Sequence, residues 1–312
     1  MKKIKIGENS WFIGSEFIVG KEFTIGKNCT IRTDRFFAGD YVSVGDNNDF
    51  LVEDSFELRS NGHIGNHNSF TARRITFGEY LFLDSNVKVG FGGCFNYDSI
   101  LEVGDGVMLC SCNLNPNYKI KIGNGVGIGY HTYIWTHGSY LPILDGFPAQ
   151  FGPVTIGNNV WLPAMTIVLP NVVIGDNVVV ATNSVVNKNL PAGCLAGGSP
   201  AKVIREKCYP ICDKEKNIKK IEEIVEEYGF LSAYKRLKVE IVFDKEQMLL
   251  VVNGRTFDLK KMIVDGKLDD VQEDCRDFLR RRGVKFFTGL PFKSIIPDKY
   301  RLLMGEEGID EN

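Results

Sequence analysis

Histidine is the side chain whose ordinary pKa lies nearest neutrality, so it can take a proton from an attacking hydroxyl at physiological pH. This chain has four: His63, His67, His131 and His137. His63 and His67 flank Ile64-Gly65-Asn66 and read as exposed turn residues, whereas His131 and His137 stand six residues apart, His131 on the preceding face. Eight cysteines offer a second chemistry. Cys110/Cys112 and Cys208/Cys212 have spacings a metal can use, but zinc sites favour two CxxC-type pairs, and there are none here. Reduced, mostly buried thiols and no metal are the expectation, as in a cytoplasmic protein. A third feature is the basic run Arg280–Arg282. It could meet a phosphate, but it sits just before Gly283 in a segment that opens with acids. A capped helix end obeying the macrodipole accounts for it without a ligand.

The elements that must hold these groups are written in a six-residue step. Ile156, Leu162, Val168, Ile174, Val180 and Val186 recur every sixth position. Two places earlier stand Val154, Val160, Thr166, Val172, Val178 and Ser184. A helix would show a 3.6-residue spacing and an isolated strand would alternate to its end. A step of six with Gly, Asn or Asp between pairs reads as a solenoid of very short strands, each followed by a bend. One such strand cannot bury its apolar side chain alone, so it must stack on its counterpart in the next coil. Gly, Asn and Asp suit the bends because they accept positive φ or bond locally to the backbone. Ile156-Gly157-Asn158-Asn159 and Ile174-Gly175-Asp176-Asn177 lie 18 residues apart, which is one coil of three faces. Looser copies run upstream from Ile6-Gly7 to Ile128-Gly129, with slips of a residue or two that imply bulges or loops at corners.

The solenoid grammar covers residues 1–206, roughly eleven turns, in a prism on the order of 50 Å long at the usual strand spacing. It is broken at 137–153, where Pro142, Pro148 and Pro153 mark a loop extruded from a corner. Residues 207–312 change character and predict a small α+β domain of unassigned role. Ile218, Ile221, Ile224, Val225 and Tyr228 form a helical stripe. Two β-rich runs follow with turns at Asp244-Lys245 and Asn253-Gly254, then a second helix within 269–283. The fold class is therefore mainly β: a parallel β-helix with a C-terminal α+β unit. A net charge of −2 gives no electrostatic reason to expect nucleic acid. No run of about 18 apolar residues predicts a membrane span, and no apolar run follows the basic start to suggest a signal peptide.

Residues 120–206 resemble the hexapeptide-repeat acyltransferases, and most closely the branch of maltose and galactoside O-acetyltransferases and xenobiotic acetyltransferases. The phrases that carry the likeness are IWTHGSY at 134–140, VTIGNNVWLPAMTIVLPNVVIGDNVVVATNSVV at 154–186 and LPAGCLAGGSPAKVI at 190–204. The resemblance implies a left-handed β-helix, a homotrimer with sites between subunits, and acetyl-CoA as acyl donor. It also implies that His137, after Ile134-Trp135-Thr136, is a general base. His131 is a neighbouring candidate. Trp161 matches the family's Asn-x-Val-Trp phrase near the reacting centre, although Leu162-Pro163-Ala164 replaces the usual glycine-rich continuation and Pro163 removes an N–H. Ala164, Ala181 and Thr182 match positions where the family backbone receives the pantetheine arm. Lys188, Lys202 and Arg205 match positions near the CoA phosphates, where a solvated basic rim is the other reading. The acceptor-contacting asparagine of the sugar acetyltransferases has Asn113 and Asn115 as nearest candidates. Asn96 fits the family's Phe-Asn phrase better but stands far upstream. The N-terminal helices of the maltose branch are absent, and extra coils stand in their place, so the acceptor pocket does not transfer. The expected reaction is acetyl transfer to a sugar or glycoconjugate hydroxyl, as in polysaccharide assembly. Acetylation of a nucleotide-linked amino sugar and a non-catalytic solenoid scaffold remain the alternatives.

Overall fold

The six-residue step closes the chain into triangular coils. The computed structural model describes residues 4–90, 96–208, 213–297 and 300. The chain divides into two compact units, Met1–Tyr209 and Pro210–Asn312.

In the first unit each coil lays one strand on each of three faces. The first face includes Gly127–Ile128, Trp161–Leu162 and Val179–Val180. The second includes Asn113–Asn115, Tyr133–Trp135, Ile167–Val168 and Val185–Val186. The third includes Ile120–Ile122, Val154–Ile156 and Val173–Ile174. Strands pair in parallel with their counterparts one coil away, for example Ile134 with Val168 and Ile128 with Leu162. The residues at the six-residue step point inward and are buried, as are those two places before them, Thr166 and Ser184 included.

Among the described residues the first face contains eleven strands, of which ten are parallel, so the prism has about ten turns. This corrects the eleven expected from a uniform 18-residue coil. The step is 18 residues between Asn158 and Asp176, but 19 between Lys27 and Asp46 and 20 between Asp46 and Asn66. Two coils are longer still, 26 residues from Glu79 to Asp105 and 34 from Asn124 to Asn158. The physical reason for the wider upstream coils lies in what they enclose. Phe36, Phe50, Phe56, Phe70 and Phe77 fill the axis there, with Phe50 and Phe70 stacked at 4.4 Å and Phe36 edge-on to Phe56 at 5.5 Å. Downstream the axis holds mostly Val, Ile and Leu, with small residues such as Thr166 and Ser184 among them. A close-packed interior needs a longer perimeter around larger side chains.

The corners are tied by a ladder in which a side-chain oxygen accepts the backbone N–H one coil below. Asp105 Oδ1 accepts from Glu79, Asn124 Oδ1 from Asp105 and Asn158 Oδ1 from Asn124, at 2.7–2.9 Å. Between the first and second faces a column of residues in the left-handed region turns the chain: Asn47, His67, Asn86, Ser111, His131, Met165 and Asn183. At the far end the prism is closed by its own chain. Lys202–Arg205 turns back antiparallel on Leu195–Gly197, the Val185 N–H donates to the Gly198 carbonyl and the Ala201 N–H to the Val185 carbonyl.

The second unit is a four-stranded antiparallel meander, Ile241–Asp244, Leu249–Val252, Arg255–Asp258 and Ile263–Val264, with helices α1 (Lys214–Tyr234) and α2 (Asp270–Arg280). Asn253-Gly254 forms the two-residue turn, both at positive φ. Asp269 and Gln272 make a capping box on α2. Gln272 to Leu279 are all buried, so the charges of α2 find partners inside. Lys235 Nζ meets Asp274 at 2.6 Å and Arg276 Nε meets Glu273 at 2.7 Å. Burial works to raise Asp277, but the Ser294 hydroxyl, Arg280 and Arg281 outweigh it and hold the carboxyl below its usual range. Arg280 and Arg281 pair with Asp277, and Arg282 with Glu227 while lying over the Phe278 ring. Acids of the same unit thus engage the whole basic run.

Candidate active site

The corner between the second and third faces carries the expected loop. Thr136 is fully buried, and its hydroxyl donates to the Asn115 carbonyl at 2.7 Å and accepts from the Tyr118 N–H at 2.9 Å. Those two bonds fix the backbone just before His137. The loop then leaves as a short antiparallel ribbon, His137–Gly138 against Gln150–Phe151, and the Gly152 N–H returns to the Thr136 carbonyl at 2.9 Å. Asn171, one coil on, donates through Nδ2 to the Phe151 carbonyl at 2.9 Å. The Phe151 ring meets Tyr118 edge-on at 6.4 Å. Gly152 sits at φ 151°, and a Cβ there would collide with the Asn171 amide. The base of the loop is therefore fastened on both sides. Its tip is not: Tyr140 is 98% and Leu144 100% exposed. Replacing Asn171 by glycine, which keeps its left-handed backbone at φ 64° without strain, removes one bond at the loop base, a loss of about 1 kcal/mol. We expect chymotrypsin to nick the 140–151 segment faster in that variant with the melting temperature nearly unchanged. Equal nicking rates would show that Asn171 does not hold the loop.

His137 itself is half-buried. Its Nδ1 is enclosed and has no hydrogen-bond partner, and Trp135 presents an edge to the ring at 6.1 Å and 77°. An unpaired buried polar atom costs roughly 1–3 kcal/mol and calls for an explanation. Two neighbouring coils contribute to the same corner. Asn96 Nδ2 donates to Asn117 Oδ1 at 3.1 Å, and Lys119 pairs with Glu102 at 2.6 Å. Asn96, remote in sequence, thus stands two coils below His137; Cys94 and Phe95 of its phrase lie outside the described residues.

The remaining expected residues fall elsewhere on the prism. Asn113 points outward on the second face, partly exposed, directly beneath Tyr133. Asn115 is fully enclosed, beneath Trp135. His131 is not on a face: it is an exposed turn residue with φ 56° between the first and second faces. Ala164, Ala181 and Thr182 occupy that same corner, with Asn183 N–H bonding the Ala164 carbonyl at 3.1 Å. Trp161 is 39% exposed on the first face and lies over Gly127, where any side chain would strike its indole. Lys188 is exposed on the His137 corner, one loop beyond Asn171. Lys202 and Arg205 are exposed on the closing strand, and Arg205 donates to Cys208 Sγ at 3.1 Å. Within one chain the candidates thus divide between two corners. Sequence reasoning missed the outward pair Tyr133 and Trp135 and the Asn171 clasp. The first had a readable signal, since Tyr133, Trp135 and His137 alternate.

Among the described residues no group of three His, Cys, Asp or Glu side chains gathers as a metal site. Burial pushes both the Cys110 and Cys112 thiols up, the second far up, which keeps them protonated and poor ligands. Cys212 lies outside the described residues. No described helix is long and apolar enough to cross a membrane.

The bacterial transferase hexapeptide family, six repeats, matches residues 153–188. Galactoside O-acetyltransferase of Escherichia coli K12 is 45% identical over 65 residues, 21% of this chain and 30% of that protein. The chain therefore spans under a third of this curated relative. Among solved structures, a maltose O-acetyltransferase from Clostridium difficile is 27% identical, over 44% of this chain and 68% of that one, with a TM-score of 0.29. A hexapeptide-repeat acetyltransferase from Vibrio cholerae, solved with acetyl coenzyme A, is 26% identical over 42% and 64%, with a TM-score of 0.28. Residues 153–188 thus match the hexapeptide model of bacterial transferases, and over part of its length the chain is similar to acetyltransferases.

Proposed function

We propose that the protein is an acetyl-CoA-dependent O-acetyltransferase whose acceptor is a sugar or glycoconjugate hydroxyl, with His137 as general base. One observation carries the proposal: an imidazole held at the root of the extruded loop, with one nitrogen enclosed and unpaired. An alcohol is a weak nucleophile at neutral pH. His137 takes its proton as the oxygen attacks the thioester carbonyl. A backbone N–H stabilises the oxyanion that forms. Collapse breaks the C–S bond, and the CoA thiolate recovers the proton from the imidazolium. The products are the acetyl ester and free CoA, and no covalent enzyme intermediate is needed.

The division of candidates between two corners favours a homotrimer. His137 and Lys188 lie on one corner of a prism, and Trp161, Ala164, Ala181 and Thr182 on its first face and another corner. A second copy, bringing its first face to the His137 corner, unites the two sets in one cleft between subunits. Lys188, Lys202 and Arg205 then offer charge to the CoA phosphates. We read the setting as cytoplasmic assembly of a polysaccharide or glycoconjugate.

Acetyl-CoA at a hundred times its Kd is expected to stabilise the native protein by about 2.7 kcal/mol, visible as a raised Tm. CoA release in the presence of a sugar panel completes the test. A flat Tm across the acetyl-CoA range, with no thiol released, would leave only a scaffold.

A further inference from the structure

An extended chain sends alternate side chains to the same side. Tyr133 and Trp135 on one strand, followed by His137, obey this rule. The Tyr133 and Trp135 rings lie within 5° of parallel with centroids 6.2 Å apart, and the Trp135 centroid is 6.1 Å from that of His137. Both aromatic residues are half-buried, while Ile134 between them points into the core. The neighbours of Tyr133 on the same face are Asn113 one coil below, partly exposed, and Ile167 one coil above. Two parallel aromatic rings thus lead along the strand to the imidazole of the proposed base, with one amide beside the far ring on the coil below.

We propose that Tyr133 and Trp135 are a stacking platform for the acceptor, and that the acceptor is an oligosaccharide of at least two pyranose rings. The proposal rests on the reading of His137 as the base. The sugar over Trp135 presents the reacting hydroxyl to His137, the next sugar lies over Tyr133, and the Asn113 amide bonds a hydroxyl at its edge. The chemistry is general. One face of a pyranose is a patch of C–H bonds with slight positive charge, which matches the negative face of an aromatic ring. Its hydroxyls radiate sideways, where a few placed polar groups set orientation. The donor does not fit here. In acetyl-CoA the adenine is separated from the thioester by the whole pantetheine arm. A base stacked on Trp135 would hold the thioester away from the adjacent imidazole.

The test uses the full chain on an array of immobilised glycans graded from mono- to hexasaccharides, with retention and transfer of labelled acetyl from acetyl-CoA read in the same wells. The expected result is retention that rises from mono- to disaccharides. Tyr133→Leu should abolish that gain, a loss of about three- to tenfold, and leave monosaccharides unchanged. Tyr133→Phe, which keeps the ring, should restore it. Trp135→Leu should weaken every length, and no variant should alter the KM for acetyl-CoA. Length-independent retention, no retention of any glycan, or a Tyr133→Leu effect on acetyl-CoA rather than glycan overturns the platform. Length-dependent retention without acetyl transfer would remove the O-acetyltransferase reading and leave the platform standing.

Discussion

Replacing His137 by alanine is expected to lower kcat/KM for acetyl transfer by about 10²–10⁴-fold, the usual contribution of a positioned general base. The same change should leave the fold intact. The ring is half-exposed, and its enclosed Nδ1 makes no hydrogen bond that alanine would forfeit. Removing an unpaired buried nitrogen relieves a cost, so Tm should hold steady or rise slightly. A residue that weakens the fold while serving the reaction is a common trade at active sites. The kinetic pattern is also specified. An interaction made only in the transition state lowers kcat and kcat/KM equally and spares KM for acetyl-CoA. His137→Gln separates size from basicity, because it fills similar space without accepting the proton. Full turnover in either variant would remove His137 from the mechanism.

Arg276→Ala carries the largest expected effect on stability, about 3–5 kcal/mol in the second unit. Its side chain is wholly buried: Nε bonds Glu273, Nη1 the Phe286 carbonyl, and Nη2 the Leu290 and Pro291 carbonyls, while the guanidinium lies 4.1 Å from the Phe292 ring centroid. Truncation leaves a buried carboxylate without its cation and three carbonyls without their donor. Domains are commonly stable by only about 5–15 kcal/mol, so this is a large share. Two optical probes can localise the loss. The three tryptophans, Trp11, Trp135 and Trp161, all lie in the β-helical unit, whereas both long helices lie in the other. In Arg276→Ala the helical circular dichroism should melt at lower urea than in the wild type, with the tryptophan transition unmoved. Adding Glu273→Gln should recover part of the deficit, because the stranded charge is gone. A shared shift of both probes would show that the damage is not confined to the second unit.

Much of the architecture could be read in advance, and the reason is repetition. A residue that must face its own counterpart one turn away has to recur at a fixed step, so Ile156 to Val186 disclosed both strand length and inward face. The hairpin at Asn253-Gly254 was legible because the two-residue turn demands positive φ twice. The coil count was not. Perimeter is set by how large side chains pack together, and the phenylalanines packed edge-on around Phe56 widen the upstream coils without a local signature. Nor did chain order reveal which corner each candidate occupies. His131 and His137 are six residues apart yet lie on different corners, while Asn96 and Asn117, 21 residues apart, hydrogen-bond to each other. Distance along a solenoid is counted in turns, and a linear reading underrates it.

The hairpin-like return of 198–205 over the final coil bears on how such a molecule stays separate from its copies. Parallel coils end in rows of unanswered amide and carbonyl groups, which invite another prism to continue the stack. Here Gly198 and Ala201 engage Val185, and the reversed strand from Lys202 covers Leu195–Gly197, so on the first face the last parallel strand meets backbone of the wrong direction for propagation. On that face the returning tail takes the edge that a coil from another copy would need.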